Sequence, residues 1–191
     1  MNYRVSMNEQ LPHLGGNITE GDIYTHSPRV WDYLIDRFSI KSVLDLGCGM
    51  GFSSNYFYRK GMAVVAVDGL EENIKKSVYP SVLCDLTKSP VSTKVDLVHC
   101  QEVVEHIGEE HLENLLSSLA CGKFIVMTNA LTGQPGHHHV NCQPTEYWIE
   151  HLKRYNCEFL PDDSLRIRAL AEQDQAIYMA KTGSVFANRN Y

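Results

Sequence analysis

The stretch VLDLGCGMGF, Val43 to Phe52, constrains this chain more than any other part of it. An apolar run breaks into three glycines at alternate positions, Gly47, Gly49 and Gly51. A short apolar run bounded by glycine reads as a buried strand. Glycine there supplies positive φ and lets backbone approach another group closely. A helix is expected next, from about Phe52 to Lys60, with Gly61 as its stop. A buried strand feeding straight into a helix belongs to a parallel sheet covered by helices.

The rest of the chain repeats the pattern. Val30, Trp31, Leu34, Ile35 and Phe38 recur at helical spacing, so Ser27 to Arg37 reads as an amphipathic helix opened by Ser27-Pro28. Strands are predicted at Met62 to Val67, Ser81 to Cys84, Val95 to Cys100 and Lys123 to Thr128. Helices are predicted at Gly69 to Lys76 and around Leu112, Leu115, Leu116 and Leu119, the latter stopped by Gly122. Beyond these, Thr145 to Leu152 and Asp162 to Gln173 look helical, and Gly183 to Ala187 reads as a last strand. Such alternation predicts an α/β fold: a Rossmann-like, doubly wound, mostly parallel sheet in a single domain, with right-handed crossovers. Residues 1–26 lack periodicity and read as an N-terminal arm or lid. Residues 27–129 form the core, and 130–191 supply a substrate-facing loop and C-terminal part. The loop Ala130 to Pro144 is long enough to suggest a functional role.

Composition narrows the partners. A length of 191 residues suits one domain with a real core. The net charge of −6 and the lack of a basic stripe argue against nucleic acid, whose phosphates need clustered Lys and Arg. Six scattered cysteines without a CxxC pair suggest reduced thiols and a cytoplasmic setting. No signal-peptide core is visible at the start, and no apolar run approaches the about 20 residues that cross a bilayer. Nothing in the sequence points to an oligomeric state.

In an open parallel sheet, ligands sit beyond the carboxyl ends of the strands, near the point where strand order reverses. The glycine loop occupies such a place. Its spacing is GxGxG rather than the GxGxxG of dinucleotide sites, and Asp45 stands two residues before the first glycine. A strand followed by D-x-G-x-G-x-G resembles motif I of the class I S-adenosylmethionine-dependent methyltransferases. The resemblance covers roughly Val43 to Thr128 and implies a seven-stranded sheet. It assigns cofactor contacts to Asp45, Gly47, Cys48 and Gly49, and to the acid ending strand two, here Asp68, with Gly69 and Leu70 beside it. Asp68 stands 21 residues after Gly47, and a carboxylate can accept from both ribose hydroxyls. In the family a polar position after strand three lies near the adenine amine; Cys84, Asp85 and Leu86 match it. The end of strand four contacts the methionine portion, which points to Gln101 and Glu102.

The reaction must be read from elsewhere. Glu102, Glu105 and His106 would share one face if their segment were helical, at i, i+3 and i+4. Two carboxylates, an imidazole and a later histidine from His137, His138 or His139 could ligate a divalent metal. This set resembles two metal-using branches of the family, the small-RNA 3′-terminal 2′-O-methyltransferases and the ubiquinone-biosynthesis O-methyltransferases. Without a metal, His106 or His138 could act as general base, with Glu105 as a further catalytic candidate. Tyr147 and Trp148 could wall a pocket, but the spacing of Trp148, Ile149 and Leu152 favours an amphipathic helix packed on the core. Tyr24 and His26 are candidates for a lid over the cofactor. The expected function is methyl transfer to an oxygen of a small-molecule acceptor such as a sugar or polyol. The alternatives are an RNA 2′-O-methyltransferase, a nicotinamide-dependent oxidoreductase, and a non-catalytic S-adenosylmethionine-binding protein.

Overall fold

The computed structural model describes residues 5–7, 11–18 and 20–191; the remainder of the expected arm, residues 1–4, 8–10 and 19, lies outside them. In the arm, β1 (Val5–Met7) pairs antiparallel with β2 (Gly16–Ile18). Single 3-10 turns follow at Pro12–Leu14 and Ile23–Thr25. The core begins with α1 (Pro28–Phe38), β3 (Ser42–Leu46), α2 (Phe52–Arg59), β4 (Ala63–Asp68), α3 (Glu71–Lys76) and β5 (Ser81–Leu83). It continues through β6 (Val95–Cys100), α4 (Leu112–Leu119), β7 (Gly122–Met127) and α5 (Thr145–Lys153). It ends with β8 (Cys157–Phe159), α6 (Pro161–Asp174), α7 (Ile177–Thr182) and β9 (Ser184–Asn188).

The described strands of the core form one seven-stranded sheet in the order β5-β4-β3-β6-β7-β9-β8. Strands β5, β4, β3, β6 and β7 pair in parallel, and β9 runs antiparallel to both of its neighbours. Strand order reverses between β3 and β6, so the crevice at their carboxyl ends is where a ligand is expected.

Side-chain alternation along the strands builds two apolar layers. Val43, Leu97, Val126 and Val185 face Val30, Trp31 and Leu34 of α1, Phe57 of α2, Ile167 of α6 and Met179 of α7. Their neighbours Leu44, Val98, Ile125 and Phe186 face Leu115 and Leu119 of α4 and Trp148 and Leu152 of α5. Helices therefore cover both faces, as near-continuous apolar strands require. Trp148 is fully buried, so it belongs to the core and walls no pocket. No helix among the described residues is long and apolar enough to cross a membrane.

Three elements differ from the sequence expectation. The arm contains a short hairpin, β8 supplies an edge strand, and α7 precedes β9. Each is six residues or shorter, too short for its periodicity to stand out.

Candidate active site

The glycine loop closes the carboxyl end of β3. Gly47, Gly49 and Gly51 all have positive φ, and the N–H groups of Gly47 and Cys48 donate to the Val67 carbonyl of β4 at 2.8 and 2.9 Å. The loop thereby bends over the sheet and delivers the chain into α2. Beneath it, Asp45 is buried and satisfied from within the protein. It accepts from Ser53 Oγ at 2.6 Å and from Ser54 at the start of α2, and His99 Nδ1 lies 2.8 Å from its other oxygen. Trp31 Nε1 donates to His99 Nε2 at 3.2 Å, so the proton of His99 sits on Nδ1, toward Asp45. Burial raises Asp45, but the bonds from His99, Ser53 and Ser54 outweigh it and hold the carboxyl below its usual value. Asp45 thus fixes the loop to the helix.

Asp68 ends β4 beside the loop. It accepts from the N–H groups of Gly49 and Leu70, each at 2.8 Å, and from Asn73 Nδ2 at 3.0 Å. Burial nevertheless pushes it up. Asp85, after β5, accepts from the Thr87 N–H and hydroxyl at 2.9 and 2.7 Å and lies 3.2 Å from His13 Nε2 and 3.1 Å from Lys88 Nζ. Burial raises it too, but these partners hold it well below the carboxylate range. Asp85 is therefore partly occupied as a turn residue.

A cavity of about 400 Å³ lies over these groups. Every cofactor-contact candidate except Leu70 lines it: Asp45, Gly47, Cys48, Gly49, Asp68, Gly69, Cys84, Asp85, Leu86, Gln101 and Glu102. Leu70 is buried beside them and presents its N–H to Asp68. Gln101 is 9% exposed, and among the described residues neither atom of its amide meets a partner. Asn73 Oδ1, also in the wall, is likewise unpartnered. Buried polar groups in this state are rare in folded proteins and mark where a ligand's polar atoms belong.

The arm closes the cavity. Leu14 seats its side chain against Gly69, where a Cβ would lie 2.6 Å from Leu14 Cδ2. Glu20, Asp22, Ile23, Thr25 and His26 line the opposite rim. Of the expected lid residues, His26 lines the cavity, while Tyr24 packs edge-to-face on Tyr178 at 6.5 Å. Asp22, His99 and Tyr178 belong to no motif in the sequence, and only the segment Gly21 to His26 around Asp22 carries a local signal.

The segment 102–106 is not the expected helix. Glu102 takes φ 55, and only Val104–His106 forms a 3-10 turn. Its side chains consequently do not line up on one helical face. Glu102 lines the cavity, exchanging hydrogen bonds with Thr128: its N–H donates at 2.8 Å and its Oε1 accepts at 2.9 Å. Glu105 turns inward and is fully buried, and among the described residues its carboxyl oxygens meet no partner from another residue outside the Glu102 carboxyl. His106 lines the cavity with Nδ1 unpartnered. His138 lies in an adjoining cleft of about 480 Å³ that shares His13 and His106 with the cavity. Its ring stands 6.4 Å from that of His13, while His139 packs against His106 at 5.2 Å. Among the described residues, no three His, Cys, Asp or Glu side chains converge as a metal requires. The candidate donors Glu102, Glu105, His106 and His138 therefore do not fit a metal as arranged.

The two glutamates instead face one another. Burial, and for Glu105 the charge of Glu102, raises both, so the pair retains a proton near neutrality. His106 moves the other way, lowered to about 4 by burial and by its histidine neighbours, and stays neutral at pH 7. A carboxyl raised in the folded state binds more protons there than in the unfolded chain, so its stability contribution falls as pH rises. Glu105→Gln is accordingly expected to gain in melting temperature relative to the parent as pH climbs from 4.5, the ordinary value, into the neutral range. Parallel melting curves for parent and variant across that range would contradict the shared proton.

The methyltransferase domain family matches residues 44–121. The ubiquinone biosynthesis O-methyltransferase of Hahella chejuensis is 28% identical over 97 residues. That stretch is 44% of this chain and 40% of the relative, so less than half of the relative's length is matched. The fold resembles the TehB-like SAM-dependent methyltransferase of Corynebacterium glutamicum, with a TM-score of 0.62, 20% identity, and coverage of 94% of this chain and 93% of the other. It also resembles the magnesium protoporphyrin IX methyltransferase of Synechocystis with bound SAH, with a TM-score of 0.56, 18% identity, and coverage of 69% and 71%. At these identities the structural likeness is one of fold.

Proposed function

We propose, from the match of residues 44–121 to the methyltransferase domain family and from the shared fold, that this chain is a class I S-adenosylmethionine-dependent methyltransferase that moves a methyl group from S-adenosylmethionine to an oxygen of a small polar acceptor such as a sugar or polyol. The observation that carries the cofactor assignment is the cavity lined at three successive strand ends by the glycine loop, Asp68 and Asp85, with Gln101 unpartnered in its wall. The cavity's volume falls in the range of small-molecule sites. Bound there, S-adenosylmethionine supplies a methyl group on a sulfonium, open to in-line displacement by an oxygen.

The chain's own residues would orient and protect that displacement. Asp68 takes the ribose hydroxyls with its remaining lone pairs. Leu86 and Ile107 flank the adenine, Asp85 lies at its amine, and Leu14 of the arm covers this end. Gln101 and Glu102 face the methionine end. His106, neutral and within the cavity, accepts the acceptor's hydroxyl proton. Holding both reactants in line supplies much of the rate. The chain needs no metal in this account, since its donors do not converge. RNA is the less favoured acceptor, because no Lys or Arg lines the cavity or the adjoining cleft among the described residues.

The test is transfer of a labelled methyl group from S-adenosylmethionine to hydroxylated small molecules, with and without a metal chelator. Transfer that persists in chelator and is lost in His106→Ala is the expected result. Loss in chelator with restoration by a divalent ion would return the metal reading.

A further inference from the structure

The carboxylates around the cavity fall into two groups. Asp45 and Asp85 are matched within the protein, by His99, Ser53 and Ser54 in one case and by Thr87, His13 and Lys88 in the other. Asp22, Asp68 and Glu102 line the same cavity with hydrogen bonds but with no ion-pair partner among the described residues, and burial is the largest influence raising each of them. Glu105 adds a fourth acid behind Glu102. The charge of Lys181 acts to lower Glu102, but Lys181 donates to Gln134 at 3.0 Å and does not line the cavity.

Asp68 is accounted for by the ribose, which leaves Asp22 and Glu102 at the opposite end. A sulfonium, an ammonium and a carboxylate give the cofactor one net positive charge, against the carboxylates of Asp22 and of the glutamate pair that keeps one proton. Buried like charges without counter-charge are costly. The turn Ile23–Thr25 packs on α7 and brings Tyr178 beside the two acids. The Tyr24 and Tyr178 rings meet there edge-to-face. Burial and the charges of Asp22 and Glu102 push the Tyr178 hydroxyl up to about 12. Independently of the acids, the unpartnered amide of Gln101 lies in the same wall and offers one donor and one acceptor face to a ligand. Carboxylates beside aromatic rings are the setting that recognises an organic ammonium.

We infer that this end of the cavity is a subsite for a protonated amine, and that the acceptor is a hydroxyl compound bearing an ammonium group, an amino sugar or amino alcohol. Its ammonium sits between Asp22 and Glu102, and its neutral polar part meets Gln101. This inference rests on the methyltransferase reading above and narrows its acceptor.

The experiment is calorimetric titration of the full chain, saturated with S-adenosylhomocysteine, with glucosamine, glucose and glucose 6-phosphate. Glucosamine is expected to bind about tenfold more tightly than glucose, as for one charge-assisted hydrogen bond, and glucose 6-phosphate more weakly than either. Asp22→Asn should bring glucosamine down to the level of glucose without changing S-adenosylhomocysteine affinity. Asparagine can keep the cap that Asp22 places on the Tyr24 N–H, so the turn persists. Equal or tighter binding of glucose or glucose 6-phosphate, or binding of none of the three, would overturn the subsite. So would an Asp22→Asn variant that weakens S-adenosylhomocysteine instead, since Asp22 would then serve the cofactor's ammonium. Failure of the parent chain to bind S-adenosylhomocysteine at all would strike the methyltransferase reading itself, which separates the two failures.

Discussion

Alanine at position 47 is expected to destabilise the chain by roughly 2–4 kcal/mol, adding the strain of left-handed backbone to that of overpacking. Gly47 has φ +76, and a Cβ built on it would lie 2.2 Å from Val103 Cγ2. Valine is stiff at χ1 and cannot swing clear cheaply. Val103 also lines the cavity, so the displacement reaches the ligand site. Gly49 provides the contrast. Its φ is +54, but a Cβ there meets nothing within 4 Å. That open space is the cavity itself, so Gly49→Ala should cost about 1 kcal/mol in stability, the ordinary left-handed penalty, yet still obstruct the cofactor. Melting curves paired with S-adenosylhomocysteine titrations separate the two: Gly47→Ala loses stability and affinity, Gly49→Ala mainly affinity. Equal stability losses in the two variants would contradict the packing assigned to Val103.

The second large effect is at Asp68. Replacing it by alanine removes the ribose acceptor and leaves three donors, the N–H groups of Gly49 and Leu70 and the amide of Asn73, without their partner. Losing buried hydrogen bonds to a polar ligand costs roughly 1–3 kcal/mol, so cofactor affinity should fall roughly 5- to 150-fold. Asp68→Asn keeps one acceptor oxygen and should lose less. Unchanged affinity in Asp68→Ala, measured by calorimetry, would refute the ribose assignment.

Much of the fold was legible because parallel strands buried on both faces announce themselves as short apolar runs. The runs ending at Leu46, Asp68 and Cys100 each stop where a cavity residue stands, so a motif located in sequence is also located in space. Asp45 shows the limit. Its spacing from the glycines was visible, but its engagement by His99, 54 residues away, is a tertiary fact. Residues 102–106 failed for a different reason. An i, i+3, i+4 pattern presumes a helix, whereas Glu102 adopts left-handed backbone held by Thr128 of the next strand end. The charges of Asp22 and Glu102 act on Tyr178 with the arm turn docked on α7, and no local pattern encodes that docking.

The central claim is that the glycine loop serves S-adenosylmethionine and not a nicotinamide dinucleotide. Calorimetric titration of the full chain with each tests it most directly. The expected result is saturable one-to-one binding of S-adenosylmethionine, weakened in Asp68→Ala, with no measurable binding of NAD. Tight binding of NAD without binding of S-adenosylmethionine would contradict it.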